Sequence, residues 1–480
     1  MSGTRLSRLF LLITAGGTAC LTLGKRTPLT LRAVNKVEAD HAPGRRAASK
    51  LGYRLAIPVG MPCLYAIMAG LWLSGAHSPY FGALRLLGVE PFSFPFLDTH
   101  AVLAAAECGR QGVEVYLGNP CDALGRPHAY SPLWLAIVPG YLGAGATGWV
   151  GASLDLLFIL SLTIVLRPQT PKELVILGSA AVSPMTVYAL ERANNDLVVF
   201  LLVICGGIVF MAPRPWRLFS YGPFVAAGLL KYYPLVLLVL LARESRRDAL
   251  VSAAATGFTL IVFGFAFRLE LSTALANIPV ASSYFTDAFS ARNLPFGLAE
   301  ALDEGISRTL IAESLLGALS GLAVARMLRT LRLLGRERLD WTASETQFLV
   351  IGGLLVAACF FAGQNIDYRG IFLLPVLSGL VCLHRSVKDR ELRRFCARMI
   401  GAVLFVMWEE CVRRALHGAV APVPSAGLSS RIEVLFWIGR ELVWWWLVVG
   451  LAALVLSYLR RSSWAKMFAP TAVSSAPSPT

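Results

Sequence analysis

Asp98 stands directly after Phe94-Pro95-Phe96-Leu97, where the chain leaves an apolar run. A carboxylate held at such an edge can act as a general base toward a hydroxyl group. The same residue precedes Thr99 to Glu107, a stretch of helical character, so an N-cap role also fits the position. Asn194-Asn195-Asp196 separates two apolar runs. It reads either as a turn in which Asp196 caps the next helix or as a polar turn that orients a sugar or ligates a metal. Lys231, beside Tyr232 and Tyr233, can meet a phosphate as a point charge or snorkel to a membrane interface. Arg369 with Tyr368 can grip a phosphate, and Asp367 with Arg369 can equally form a local salt bridge. His128 and Tyr130 have the character of interfacial anchors.

Asp98 opens a polar loop rich in Gly, Pro and Asn, residues that build turns. Cys108 and Cys121 lie in that loop, and a disulfide between them would add about 3 kcal/mol by the loop-entropy model; the spacing leaves the bond open. The other cysteines, such as Cys205, Cys359 and Cys382, sit in apolar runs as small packing residues. No Cys-x-x-Cys pair is present, and the six histidines are scattered. Neither a zinc site nor a Ser-His-Asp triad emerges, and a divalent metal has no dedicated ligand set. Walker and dinucleotide fingerprints are missing too.

The elements that must position these residues follow from composition. The 480 residues are 56% hydrophobic and only 15% charged, with a mean hydropathy of +0.62. A soluble chain carries about 25% charge. At about 20 residues per span, the apolar runs supply roughly a dozen spans. They are continuous rather than alternating, so the fold class is an all-α polytopic membrane protein and not a β-barrel. The net charge of +15 fits basic cytoplasmic loops beside anionic headgroups. No nucleic-acid partner is indicated.

Lys25 to Arg54 is strongly basic and reads as cytoplasmic; within the N-terminal segment 1–54, Leu9 to Leu23 is a signal-like stretch, an extra span or an artefact of start-site choice. The first span, about Leu55 to Ser74, carries the chain outward to the loop 76–130. Ser131 to Leu166 is broken by prolines and glycines; two full crossings would put Arg167 and Lys172 outside, and the preferred reading, one crossing plus a short re-entrant or interfacial piece, puts them inside. About Leu174 to Leu190 then delivers 191–196 outward, and Leu197 to Met211 returns. Leu218 to Ala242 is flanked by basic residues at both ends. A hairpin of two short helices turning near Lys231 satisfies both flanks, and a single span is the alternative. Further spans are expected near 249–267, 310–325, 348–362, 371–383, 399–412 and 442–458, with outward loops at 268–308, 364–369 and 413–440. The segment after residue 467 reads as a disordered tail.

The run Asp98…Gly112-Val113-Glu114-Val115-Tyr116…Asn119-Pro120-Cys121-Asp122…Arg126-Pro127…Tyr130-Ser131-Pro132-Leu133-Trp134 resembles the first external loop of the family 87 glycosyltransferases. These are polyprenyl-phosphate-sugar-dependent membrane enzymes of the GT-C class, mannosyltransferases among them. Arg192-Ala193-Asn194-Asn195-Asp196 and Gly228-Leu229-Leu230-Lys231-Tyr232-Tyr233-Pro234 are similar to family signatures and stand in the expected order. The resemblance covers about residues 55–385, and 386–466 adds C-terminal transmembrane helices without a usable signature. It implies a GT-C architecture of about 11–13 transmembrane helices in a bacterial plasma membrane, with the site on the extracytoplasmic face. It further implies inverting transfer of a hexose such as mannose from a polyprenyl-phosphate donor to a lipid or glycan acceptor. Asp98 matches the family's first-loop acid and is the implied base. Tyr130, Asn195 and Asp196 would orient donor or acceptor. Lys231 and Arg369, flanked by Tyr232 and Asp367, would stabilise the lipid phosphate. Asp98 has no second acid beside it, unlike the paired acids of some enzymes of this class. A transporter or lipid flippase is the alternative, with similar loops and broken helices but an internal repeat that this sequence lacks.

Overall fold

Hydrocarbon supplies no hydrogen-bond partners, so a chain this apolar must satisfy its backbone within helices. The computed structural model describes residues 43–276, 284, 288–302, 307–420 and 426–461. Within them lie α1 (Pro43–Leu73), α2 (His77–Leu86), α3 (Leu97–Arg110), α4 (Leu133–Ile137), α5 (Thr147–Val165), α6 (Pro171–Ala181), α7 (Pro184–Glu191), α8 (Asp196–Phe210) and α9 (Tyr221–Lys231). A 3-10 segment, Tyr233–Arg243, precedes α10 (Arg246–Ala266), α11 (Arg268–Ala276), α12 (Asn293–Leu302), α13 (Ser307–Leu334), α14 (Ser344–Ala362), α15 (Leu373–Ser386), α16 (Arg390–Val420) and α17 (Ala426–Leu459). The described strands are two residues each: β1 (Ala288–Phe289) pairs antiparallel with β2 (Asn365–Ile366). Leu9 to Leu23, most of the basic stretch before Arg54, part of the 268–308 loop and the tail after residue 467 lie outside the described residues. Residues 48–480 form one unit.

Six described helices are long and apolar enough to cross a membrane: α1 from Gly52, the run Ala144–Val165 that includes α5, α10, α13, α14 and α17 from Arg431. The chain is therefore a multi-pass, all-α membrane protein. The bent pair α6 and α7 makes a seventh candidate, broken by 43° where Pro184 follows Ser183. The remaining expected spans are shorter or interrupted: α8 has 15 residues and α15 has 14.

α14 and α17 form the centre and α1, α10 and α13 the rim. The apolar stretch of α14 is 72% buried, whereas that of α13 is 6% buried and leaves its side chains to lipid. α14 and α15 approach closely because glycines face the partner helix. A Cβ on Gly379 would lie 2.4 Å from the Glu345 carbonyl oxygen, and one on Gly352 would lie 2.8 Å from that of Phe372. Without a hydrophobic driving force between helices in lipid, such close packing carries much of the association.

The stretch 131–166 holds one helix of spanning length after the five-residue α4. The expected hairpin at 218–242 is present. Arg217 donates to both oxygens of Glu244, at 2.8 and 2.7 Å, so the two ends of the stretch meet. At the far end the chain reverses at Tyr232, and Gly228 leaves room for Leu235 to fold back. The expected break at 413–440 is different. α16 continues to Val420 and α17 begins at Ala426, so charges placed in a loop sit inside helices. They are tolerated there because they are paired: Arg413 and Arg414 donate to Glu410, and Arg440 to Glu441.

One end of the bundle gathers the basic loops. Arg385 pairs with Glu173, Arg167 donates to Ser344, and Arg243 donates to Gln347. The turn 191–196 and the tip of the 218–242 hairpin lie one helix length away, at the other end.

Candidate functional site

α3 enters the bundle by docking its first turn onto the turn after α7. The Phe96 and Asp98 N–H groups donate to the carbonyls of Glu191 and Arg192, and the Thr99 hydroxyl donates to that of Ala193. The helix N-terminus is thus satisfied by another segment rather than by its own cap. Phe96 takes the N-cap position with φ 69°, and Asp98 lies inside the first turn. The N-cap reading of Asp98 is corrected accordingly: its side chain points to partners far away in sequence.

Those partners are cationic and amide groups. Asn194 donates to Asp98 Oδ2 at 2.5 Å. Oδ1 faces Arg192 at 3.6 Å and Arg126 at 3.8 Å, ion-pair rather than hydrogen-bond distances. Arg126 is itself held by both oxygens of Asp122 at 3.0 Å. Arg192 lies over the rings of Phe92 and Tyr188.

Asn194 carries the network inward. Its Oδ1 accepts from the Asp196 N–H at 2.8 Å and from Lys231 Nζ at 3.4 Å. Asp196, fully buried, accepts from Lys231 at 2.8 Å and from the Tyr233 hydroxyl at 2.7 Å, and Arg369 Nε stands 3.4 Å away. Asp196 therefore does not cap α8. Asn194 makes that contact, and the Asp196 carboxylate binds the hairpin tip. Lys231 Nζ also sits 5.4 Å from the Tyr130 ring and 5.5 Å from the Tyr368 ring. Arg369 donates further to Asn365 at the β1–β2 pair. The loop 76–130 (loop 1), the 191–196 turn, the hairpin and the 365–369 turn thus meet in one place.

Not every expected residue joins. Asn195 is buried but has none of these partners, and its Nδ2 donates no hydrogen bond. Of the two tyrosines after Lys231, Tyr233 and not Tyr232 holds Asp196. Tyr232 instead takes the strained turn, φ 40°. Asp367 is buried against a second cavity of about 250 Å3, which Glu409 and Glu410 also line. Arg126, Arg192, Asn194, Tyr233 and Asn365 were missed as site residues. The first four stand inside the motifs quoted above, so their neighbours were the available signal; Asn365 had none.

Backbone strain collects here. The described non-glycine residues with positive φ are Phe96, Ala193 and Tyr232, adjacent or next but one to Asp98, Asn194 and Lys231. Such conformations cost about 1–3 kcal/mol each and persist where surroundings over-determine them.

Cys108 and Cys121 are bonded, closing the end of α3 onto loop 1. His128 packs between the rings of Tyr116 and Tyr130. Burial pushes its imidazole down to about 4. Burial also pushes the Tyr130 phenol well above its usual range, with the Asp98 carboxylate adding to the effect. Burial opposes the Asp122 charge, but the hydrogen bonds from Arg126 more than offset it and hold the carboxyl below its ordinary range.

Chemically, four cations (Arg126, Arg192, Lys231, Arg369) meet three carboxylates (Asp98, Asp122, Asp196) at one rim of the bundle. The Arg126 and Arg369 side chains are 33% and 23% exposed, so a ligand can reach them. Among the described residues no group of three or more His, Cys, Asp or Glu is placed to hold a metal. No family model, curated protein or solved structure matches the chain. What the fold and site define is a class, a polytopic helical membrane protein with a buried, cation-rich polar centre.

Proposed function

We propose that this protein is a GT-C-type glycosyltransferase that moves a hexose, such as mannose, from a polyprenyl-phosphate donor to a lipid or glycan acceptor. The observation that carries the reading is the continuous network from Asp98 through Asn194 and Asp196 to Lys231 and Arg369. It puts a carboxylate within one side chain of cations suited to a leaving phosphate, and the motifs that resemble family 87 supply those residues. The acceptor oxygen bonds to the anomeric carbon as the bond from that carbon to the phosphate oxygen breaks. The hydroxyl proton passes to Asp98 Oδ1, and the electron pair leaves with the phosphate. The transition state is oxocarbenium-like, so the hydroxyl becomes acidic late, as the bond to the phosphate breaks. Arg369 and Arg126 are the reachable cations for the developing phosphate charge, and Lys231, held by Asp196, sets the field behind them.

The disulfide fits an oxidising compartment, and the basic loops at the opposite end fit the cytoplasm. Both support an extracytoplasmic site in a plasma membrane. The test is sugar transfer in proteoliposomes supplied with polyprenyl-phosphate donors of several radiolabelled hexoses. Wild type should label an acceptor lipid or glycan from one of them, and Asp98→Asn should fold, insert and fail to do so. A fully active Asp98→Asn protein would rule out the base. Solute or lipid movement across sealed vesicles with no transfer would point to a transporter instead.

A further inference from the structure

Next to the polar centre lies a second, chemically distinct space. A cavity of about 730 Å3 opens between α1, α2, α5, α7 and the Phe94–Phe96 segment. That volume is in the range of small-molecule sites. Its wall is hydrocarbon and aromatic, with Tyr65, Trp72 and Tyr80 among the rings. No lysine, arginine or histidine lines it. Its charged groups are two carboxyls, Asp155 from α5 and Glu191 from the end of α7.

Both acids are almost completely buried, at 0% and 5% exposure. Asp155 lies beside the Tyr65 hydroxyl. Glu191 Oε1 accepts from the Phe92 N–H at 3.4 Å, while its buried Oε2 takes no hydrogen bond. An acid group at membrane depth is costly to keep and points to function. An oxygen left unsatisfied on the wall of a cavity marks where a ligand's donor belongs.

The chemistry of the wall selects the occupant. A phosphate head would bring negative charge onto two carboxyls and find no cation, since Arg126, Arg192, Lys231 and Arg369 do not line the space. A hydroxyl head brings no charge and donates to Glu191 Oε2. An aliphatic tail fits the remainder of the wall. We propose that this cavity binds a neutral lipid alcohol, with its hydroxyl at Glu191 and Asp155 and its tail along α1 and α2. Under the transferase reading, on which the role but not the binding rests, this lipid is the acceptor. Glu191 is tied to the first turn of α3 by the Phe96 N–H, so a hydroxyl held there lies beside the segment that leads into Asp98. The anionic donor and the neutral acceptor are then separated by charge: cations serve one, acids the other.

The experiment uses the full-length protein in lipid nanodiscs and two photoreactive probes with the same acyl chain, a monoacylglycerol and a lysophosphatidate. The monoacylglycerol should crosslink to peptides of α1 and α5 at least about tenfold more than the lysophosphatidate. The double variant Asp155→Asn, Glu191→Gln removes the like-charge penalty and should bring the two probes within about threefold. Ala152→Trp fills the space and should abolish both labels. Equal or stronger lysophosphatidate labelling of the wild type overturns the proposal, with or without folded variants. So does labelling that Ala152→Trp leaves unchanged, which would mean ordinary bilayer contact. A protein that takes the monoacylglycerol here but transfers no sugar sinks the transferase reading alone. One that transfers sugar but prefers the phosphate probe sinks the cavity assignment alone.

Discussion

Asp196 accepts hydrogen bonds from Lys231 and Tyr233 and faces Arg369 as an ion pair, so two other segments hold it in a fully buried position. Removing one member of such a buried set leaves an uncompensated charge. Lys231→Met should therefore destabilise the protein by about 3 kcal/mol, read as a lower thermal midpoint in detergent. Adding Asp196→Asn should recover part of that loss, and a double variant no better than the sum of the singles would deny the coupling. Asp98→Asn is a different kind of change. It keeps an acceptor for Asn194 and leaves Arg126 paired with Asp122, so stability should fall less than in Lys231→Met while transfer falls by about 10²–10⁴-fold, the range for losing a general base. Residue types and order in the sequence were enough to single out Asp98, Asp196, Lys231 and Arg369. The pairings were not legible, because Asn194, Arg126 and Arg192 acquire their roles only when loop 1 meets the 191–196 turn. Asn195 and Tyr232 were favoured by type and position, yet side-chain direction at a strained turn gave the contacts to Asn194 and Tyr233.

At the scale of elements, loop 1 is a clamp with three fastenings: the disulfide, the Asp122–Arg126 pair and the buried His128. Cys108→Ser with Cys121→Ser should cost about 3 kcal/mol and expose the 112–130 region to protease. The clamp should also be acid-sensitive. His128 has a folded pKa of about 4 against an ordinary 6.5. Above pH 6.5 the imidazole is neutral folded or unfolded and stability does not change. Between 6.5 and 4 only the unfolded chain takes up the proton, so stability declines, by up to about 3 kcal/mol. His100, also lowered by burial, acts in the same direction. Asp122, held low, adds a loss at still lower pH as it protonates. Thermal midpoints at pH 7.5 and 4.5 should differ, and His128→Phe should narrow the gap. An unchanged gap in His128→Phe would assign the acid loss elsewhere. The hairpin at 218–242 was legible because basic residues flank it on both sides and cannot lie across a bilayer. The helical extents up to Val420 and from Ala426 were not. Their charges signal a loop until their partners are known, and those partners come from one to four residues away or from a neighbouring helix.

For the whole molecule, composition alone announced a helical membrane protein, and six spanning helices among the described residues bear that out. Roughly a dozen spans were expected, and the surplus appears as short, bent or charged helices that hydropathy counts as spans. These broken pieces are what bring polar turns together at one rim, since a straight span would carry Asp196 or Lys231 past the site. For Asp98 to work on the extracytoplasmic face, that rim must lie across the bilayer from the basic loops. Sidedness is measured by replacing Gln111 in loop 1 and Lys388 after α15 with cysteine, one at a time, in whole cells. An impermeant maleimide is applied before and after permeabilisation, with the parent chain as background. Gln111→Cys should react in intact cells and Lys388→Cys only after permeabilisation. Gln111→Cys labelled only from the cytoplasmic side, or both positions labelled from the same side, would contradict an extracytoplasmic site built around Asp98.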